Sequence, residues 1–371
     1  MSVEVINPGA NSGRKQQLLD QERLLRAKRG FSTRRFDPAS AHGLSSRNYR
    51  PRAGDLVLAQ VVHVGHHKRI EQPDGRRAHL FAGDEILLAY GNRYAPDQFE
   101  VVVPSDLGEC DLVAAGGIAA QVVSQHRNTS EATRIRPLGV LLDARGKVLN
   151  LRRYGLRTAT PAPSYPPVIA VLGTSMNAGK TTALSRLVLG LRRAGLRAEA
   201  CKVTGTGAGG DYWMMRDAGA VLVSDFTDMG YATTHGLNGQ EIEAILEGLV
   251  SHAVTAVPDV ILLEVADGLL QPETRQLVEN PRFRERVDGV VFAASDAMGA
   301  VAGAQRLQDK KLPLLAVTGS FTASPLAVQE VVPVLEVPVL LKTELSDPQV
   351  AGGLLDLLRS ELQGHEATGP L

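Results

Sequence analysis

This sequence contains little cysteine, carries no net charge and has no long apolar run, and each of these features excludes a class of protein or a kind of partner. Two cysteines among 371 residues, Cys110 and Cys201, are too few for a disulfide framework or a cysteine-based metal cluster, so each is predicted to be a buried small residue. Forty basic and forty acidic residues cancel, so the molecule has no net field to attract nucleic acid or an anionic membrane. No run approaches the roughly 18 apolar residues of a membrane-spanning helix, and the first residues lack the basic and apolar regions of a signal peptide. We therefore expect a cytoplasmic protein with no membrane partner and with nucleic acid as an unfavoured partner.

Shifts in composition along the chain predict its division into domains. A chain that is 44% hydrophobic and 22% charged has ordinary globular composition, and 371 residues are enough for two domains. Four prolines lie between residues 158 and 167, which predicts a stiff, extended linker. The expected parts are a basic helical arm (1–50), a β-rich domain (51–157), the linker (158–167), a P-loop domain (168–363) and a disordered tail (364–371).

Short β-branched runs, broken by turn residues, fill the region before the linker. The runs cover residues 56–64, 86–90, 99–103, 118–123 and 140–142. No periodic segment of helix length lies among them, so the region predicts a small barrel or sandwich rather than βαβ units.

Two features of this β-rich region are compatible with a binding role. His63, His66 and His67 are close enough to suggest a metal site, because imidazole suits several transition metals. On a strand, however, His66 points away from the other two, and no cysteine or carboxylate completes the set nearby, so ordinary histidines are favoured. The loop at residues 91–96 presents an Asn, an Arg and a Tyr together, which suits a ligand-facing loop and a tight turn equally well.

The stretch with the clearest chemistry is an apolar strand at residues 168–173 that leads into a glycine-rich loop with the P-loop pattern. Gly173 and Gly179 permit the backbone angles that turn amides onto a phosphate. Lys180 then reaches the terminal phosphates, and Thr181 offers a hydroxyl to Mg²⁺. Leucine and valine at helical spacing follow and predict a helix whose positive end faces the anion. The expected nucleotide contacts are Gly173, Thr174, Ser175, Met176, Asn177, Ala178, Gly179, Lys180, Thr181, Thr182, Thr318 and Gly319.

Beyond this loop, apolar strands alternate with helices, which predicts a mostly parallel sheet covered on both faces. Ligands of such sheets bind at the carboxyl ends of the strands, so polar residues there are candidates for chemistry. Lys202 ends the second strand and can neutralise a transferring phosphoryl group, although a solvated lysine is the alternative. Glu264 follows four apolar residues, as a Walker-B acid does, and burying it unpaired would be costly. The candidate Mg²⁺ ligands are Thr181, Asp211, Asp225 and Glu264, with an N-cap role as the alternative for Asp211, and the candidate substrate loop is Thr204, Gly205, Thr206 and Gly207.

Over roughly residues 168–341 these motifs resemble a group of P-loop families that includes dethiobiotin synthetase and the molybdopterin-guanine-dinucleotide adaptor. The synthetase loop is close to G-T-D-x-x-x-G-K-T, which residues 173–181 match apart from Ser175. The synthetase motifs K-P-V-x-x-G and V-E-G-A-G-G are similar to residues 202–207 and 264–268, although no proline follows the lysine and Asp267 replaces a glycine. The adaptor is similar at residues 211–220, where an acid precedes an R-x-A-G-A helix. The β-rich domain belongs to neither family.

The resemblance implies an ATP- and Mg²⁺-dependent enzyme, a kinase or ligase, that acts with the γ-phosphoryl group on a small-molecule substrate. Lys180, Lys202 and Glu264 are then the expected catalytic residues. Two alternatives are a nucleotide-switched adaptor or metal-delivery GTPase, with the histidine cluster as its metal site, and an ATP-binding regulatory module without turnover. ATP is favoured over GTP because no T-K-x-D or N-K-x-D tetrad follows Val317, where Thr318-Gly319-Ser320 stands. Assembly into a homo-oligomer is left open.

Overall fold

The computed structural model describes residues 15–46, 48–157 and 165–367, which form two parts with separate sheets. The first part contains β1 (Lys15–Leu18), α1 (Gln21–Arg26), β2 (Lys28–Arg29), β3 (Gly43–Ser46), β4 (Leu56–His63), β5 (Arg69–Glu71), β6 (Arg77–His79), β7 (Glu85–Tyr90), β8 (Arg93–Tyr94), β9 (Phe99–Val102), β10 (Cys110–Ala114), β11 (Ile118–Gln125) and β12 (Thr133–Leu142).

Five strands of the first part close into a barrel. β12 pairs with β4, β4 with β7, β7 with β11 and β11 with β10, and β10 returns to β12. Alternate residues of β4 fall into two different buried clusters, with Leu56 and Leu58 in one and Val57 and Ala59 in the other. Both faces of the strand are therefore covered, as the unbroken apolar runs require.

The segment predicted as a basic helical arm is part of this barrel, so that prediction is wrong for its described residues. β1 pairs with β3 and β3 pairs with β12, while α1 has only six residues. Leu24 and Phe36 are buried against the barrel, whereas Leu18 and Leu25 are exposed. The leucine spacing suggested one long helix, but only one leucine of each adjacent pair faces the core.

The second part is an α/β domain. Its elements are β13 (Val168–Gly173), α2 (Lys180–Arg193), β14 (Ala198–Lys202), α3 (Gly209–Ala218), β15 (Val223–Asp225), α4 (Gly239–Ala253), β16 (Val260–Glu264), α5 (Pro272–Glu279), α6 (Pro281–Arg286), β17 (Gly289–Ala294), α7 (Ala297–Asp309), β18 (Leu314–Gly319), α8 (Pro325–Val331) and α9 (Pro348–Ala367). The six strands are parallel, in the order β15, β14, β16, β13, β17, β18.

Two large apolar clusters lie on the two faces of this sheet. One joins the sheet to α4 through α8, and the other joins it to α2 and α9. The predicted fold class, a small β-rich domain followed by a mostly parallel P-loop sheet with helices on both faces, is confirmed.

Two predicted segments fall wholly or partly outside the described residues. Residues 158–164 of the proline-rich linker are among those that the structure leaves undescribed. The tail expected to be disordered from residue 364 is helical as far as Ala367, because α9 continues to that residue. Among the helices of the described ranges, none combines the length and the apolar character that crossing a bilayer requires.

Candidate nucleotide site

The P-loop joins β13 to α2 at the carboxyl edge of the sheet, in the strand–loop–helix arrangement that the sequence predicts. Five residues separate Gly173 from Gly179, one more than the four of the common P-loop pattern G-x-x-x-x-G-K-T. The loop turns through two left-handed residues, Asn177 at φ 67° and Gly179 at φ 103°. A side chain on Gly173 would collide with the Ala293 carbonyl, so glycine is required there.

Lys180 is the first residue of α2 and is buried at the floor of the loop. Its Nζ donates a hydrogen bond to the Ser175 carbonyl at 2.7 Å. Burial lowers the pKa of Lys180, and the nearby carboxylates of Glu264 and Asp267 oppose that shift. This ammonium is therefore incompletely paired and is well placed to bind an anion held by the loop.

A second lysine is enclosed by acids at the ends of neighbouring strands. Lys202 Nζ donates to Glu264 Oε1 at 3.0 Å and to the carboxylate of Asp211. Burial alone would lower the pKa of Lys202, but the fields of Asp211 and Glu264 outweigh it and raise the pKa. The structure thus brings together two predicted site acids and Lys202, and it places the ammonium between the carboxylates rather than free on the rim.

The donor set at this point fits Mg²⁺. Thr181 Oγ1 donates to Glu264 Oε1 at 3.0 Å, so the expected hydroxyl ligand and the Walker-B acid are adjacent. Glu264 is 2% exposed, and its Oε2 has no hydrogen-bond partner among the described residues. Burial raises the pKa of Glu264. A buried carboxylate oxygen without a partner, a hydroxyl and the nearby Asp211 carboxylate are oxygen ligands of the kind that Mg²⁺ prefers.

Asp225, predicted as a further metal ligand, is instead bonded to an arginine and to a neighbouring amide, so that prediction is wrong. Its Oδ1 accepts hydrogen bonds from the Thr227 amide at 2.7 Å and from Arg34 Nη2 at 3.0 Å. The same guanidinium reaches Asp228 at 2.5 Å. An arginine from the first part of the chain therefore neutralises the acid that ends β15.

The glycine-rich loop after β14, which is predicted to hold substrate, is divided between the cavity over the P-loop and the contact with the barrel. Gly205 and Thr206 do line the cavity over the P-loop. Thr204, however, is 2% exposed and donates to the Ala266 carbonyl at 2.6 Å, so it lines only a small side cavity. Gly207 packs against the barrel, where a side chain on Gly116 would collide with the Gly207 carbonyl. The close backbone approach that these glycines allow is, at this end of the loop, an approach to the barrel.

The two candidate nucleotide contacts after β18 are placed differently from each other. Thr318 is fully buried and does not line the cavity over the P-loop. Gly319, at φ 126°, touches the loop, and the following Ser320 amide donates to the Ala178 carbonyl at 2.9 Å. The segment supports the P-loop backbone.

A cavity of about 550 Å³ lies over the P-loop, and the barrel forms its far wall. The P-loop domain contributes Lys180, Lys202, Asp211, Glu264 and Asp267, and the barrel contributes His67, Arg93, Tyr94 and Gln98. Of the two interpretations of the loop at residues 91–96, the structure supports the one in which Arg93 and Tyr94 face a binding cavity. Sequence alone does not favour this interpretation, because nothing local shows which domain surface a loop will face.

The histidines form no metal centre among the described residues. Within those ranges no three His, Cys, Asp or Glu side chains are grouped so as to hold a metal ion. The rings of His66 and His67 pack edge to face with their centroids 4.9 Å apart, and His63 is exposed. Burial lowers the pKa of His67 to about 3, with the Arg93 cation as the next cause, so this imidazole is neutral.

Helix α3, which carries Asp211, is fixed at its start by the barrel. The Gly209 amide, at the first position of the helix, donates to Glu71 Oε2 at 2.8 Å. The N-cap residue Ala208 has no side chain that can accept this bond, so the cap comes from the other domain. Trp213, on the next turn, lies against Gly75 of the barrel. The helix is therefore held between the nucleotide site and the barrel.

The fold and loop define the second part as a P-loop nucleotide-binding domain. The sequence matches no protein-family model and no curated protein. Solved structures similar to it include the signal recognition particle receptor FtsY from Elizabethkingia anophelis in complex with GDP, at TM-score 0.37 and 18% identity over 55% of this chain and 68% of that one. Chloroplast FtsY from Physcomitrella patens is similar at TM-score 0.36 and 20% identity over 56% of this chain and 70% of that one. The signal recognition particle 54 kDa protein from Aeropyrum pernix in complex with GDP is similar at TM-score 0.35 and 17% identity over 58% of this chain and 54% of that one. The chain spans just over half the length of the last of these.

The predicted ATP-dependent kinase or ligase is wrong. The similar structures named above are signal-recognition proteins, two of them with GDP. In addition, Lys202 lines the cavity but is bonded there to two carboxylates. The P-loop fold stands, whereas the narrower resemblance to dethiobiotin synthetase receives no support.

Proposed function

We propose that this protein is a nucleotide-dependent switch, in which the P-loop domain binds and hydrolyses a nucleoside triphosphate and α3 passes the state of the site to the barrel. One observation carries the proposal: Asp211 lies two residues after Gly209, the residue that Glu71 of the barrel caps. Because Asp211 lies in the first turn of α3, a movement of that turn on nucleotide binding would disturb both the cap and the packing of Trp213. The likeness of residues 211–220 to the molybdopterin adaptor family also supports a switch.

The residues divide the work by charge. Mg²⁺ with the triphosphate would supply a cation that neutralises the charge developing as the terminal phosphate is cleaved. Thr181 and Glu264 would hold the metal, Glu264 directly or through water, with Asp211 beside them. Lys180 contacts the terminal phosphates, and the amides at the start of α2 contribute the positive end of a helix dipole.

Nucleotide binding is tested by calorimetry on Lys180→Ala, with ATP and GTP titrated separately in Mg²⁺. The wild type should bind one of them, and the variant should lose at least about tenfold in affinity because a charge-assisted phosphate contact is gone. Lys310→Ala is the matched control, because Lys310 pairs with Glu279 on the surface, away from the loop. Equal affinity in wild type and Lys180→Ala would refute the assignment of the loop.

Switching is tested with the single tryptophan of the chain, Trp213. Its emission should change when the wild type binds a non-hydrolysable triphosphate analogue and should return as the natural nucleotide is hydrolysed. Nucleotide binding with no change in Trp213 emission, and with unchanged hydrogen exchange in the barrel, would reduce the protein to a nucleotide-binding module without a switch.

A further inference from the structure

Arg93 on β8 is a buried cation, and none of the described residues gives it a hydrogen-bonded carboxylate. It is 8% exposed, and its Nη1 and Nη2 donate to the Val113 carbonyl at 2.6 Å and to Gln98 Oε1 at 2.9 Å, both neutral acceptors. Its Nε has no acceptor within the part of the chain that the structure describes. Burial lowers the pKa of Arg93 to about 10, so the group is still charged near neutral pH. Keeping a buried guanidinium charged is costly unless an anion reaches it.

The hairpin that carries Arg93 is attached to the P-loop. Asn177, at the tip of the P-loop, donates through Nδ2 to Asp97 Oδ2 at 2.9 Å, and Asp97 lies between β8 and β9. Arg93 and Lys180 line the same cavity from opposite domains.

The acids near Arg93 do not satisfy it. Asp97 raises the pKa of Arg93 only through its field and already accepts the bond from Asn177. Asp267 also acts through its field, and burial raises the pKa of this carboxyl, which weakens it as a counter-ion. The anion expected to reach Arg93 is therefore one that enters the cavity.

We propose that Arg93 donates to the terminal phosphate of a nucleotide bound in the P-loop and so lets the barrel distinguish the triphosphate from the diphosphate state. The inference rests on the proposed function, and it gives the barrel a direct contact with the site in addition to the cap on α3. A planar fork with a free Nε–H suits a phosphate better than a point charge would.

The test compares Arg93→Gln and Arg93→Lys with the wild type by calorimetry, using a non-hydrolysable triphosphate analogue and the diphosphate, both with Mg²⁺. In Arg93→Gln the analogue should bind at least about tenfold more weakly, while the diphosphate binds as in the wild type. Arg93→Lys keeps the charge but loses the fork, so it should fall between the two. Arg136→Gln is the matched control, because Arg136 is an exposed barrel arginine paired with Glu109.

Unchanged diphosphate binding also shows that each variant is folded. Equal losses for both nucleotides would mean that Arg93 shapes the cavity, and no loss for either would mean that it serves a different anion; both outcomes overturn the proposal. Either can occur while Lys180→Ala still abolishes binding, so failure of this inference and failure of the proposed function are distinguishable.

Discussion

The ion pairs that Arg34 makes across the two domains lead to a quantitative prediction. Its guanidinium bonds to Asp225 and Asp228 and lies over the rings of Phe31 and Tyr212, at 4.3 and 5.1 Å from their centroids. All three charged side chains are nearly buried, with 11% of Arg34 exposed and less of the two acids. Arg34→Met keeps most of the apolar contact but removes the cation that the two acids share, and it leaves Asp228 with only the longer pair to Arg35 at 3.5 Å. Breaking a buried pair in this way costs about 3–5 kcal/mol.

The assay is urea unfolding followed by Trp213 emission. Arg153→Met is the control: Arg153 is 54% exposed and pairs with Asp143, so its loss should cost no more than about 1 kcal/mol. Burial raises the pKa of Asp228, and without Arg34 that pKa rises further above its unfolded value. A carboxyl with a raised folded pKa stabilises at low pH and loses that contribution as pH rises, so the deficit of Arg34→Met should shrink as the pH falls towards the acid range in which Asp228 becomes protonated. Adding Asp228→Asn to Arg34→Met should restore part of the lost unfolding free energy. A loss of unfolding free energy no larger than that of Arg153→Met would refute the reasoning, and so would a loss that does not change with pH.

Two further predictions concern other buried groups. Burial raises the pKa of Glu199 from 4.5 to about 8, so the folded chain keeps a proton that the unfolded chain releases. This stabilisation is full below about pH 4.5 and falls by about 1.4 kcal/mol per pH unit as the pH rises towards 8. Glu199→Gln should remove that slope from the pH dependence of the unfolding free energy. An unaltered slope would contradict the assignment of the slope to Glu199. Glu71→Ala removes the cap on Gly209, which should cost about 1 kcal/mol and reduce the nucleotide-induced change in Trp213 emission, whereas Glu71→Gln retains an acceptor and should reduce it less. A full Trp213 response in Glu71→Ala would mean that the cap does not carry the signal.

The parts of the site that could be predicted from the sequence are those whose geometry is local. The P-loop is a strand, a loop and a helix in succession, so Lys180 and Thr181 are placed by chain order alone. Glu264 ends a strand that pairs directly with β13, and the carboxyl ends of parallel strands share one edge, so it could be placed beside Thr181 before the structure was known. A small barrel or sandwich was likewise predictable, because closely spaced apolar runs leave no room for crossover helices, but the sequence did not decide between the two.

The parts that could not be predicted depend on which surfaces meet. Asp225 ends a strand just as Glu264 does, and only the position of Arg34, far away in sequence, decides that one acid is neutralised and the other keeps a free oxygen. Arg34 and Arg93 look like solvated arginines in the sequence, since nothing local distinguishes an exposed guanidinium from one buried at a domain contact. Gly207 is predicted to bind substrate because the sequence cannot show that it packs against Gly116, which lies in a different domain.

The balance of charges in the cavity relates the residues whose positions could not be predicted to the proposed switch. Asp211, Glu264 and Asp267 face the cations of Lys180, Lys202 and Arg93, so the three acids and three bases are matched in number. Within the proposed function, Mg²⁺ would compete with Lys202 for its carboxylates, and the phosphates would compete for the cations, so the Lys202 ion pairs would change on binding. Asp211 is the most exposed of the groups in those pairs and lies on the helix that the barrel caps, whereas Glu264 is fixed in the central sheet. The rearrangement would therefore fall on α3, and through α3 on the barrel.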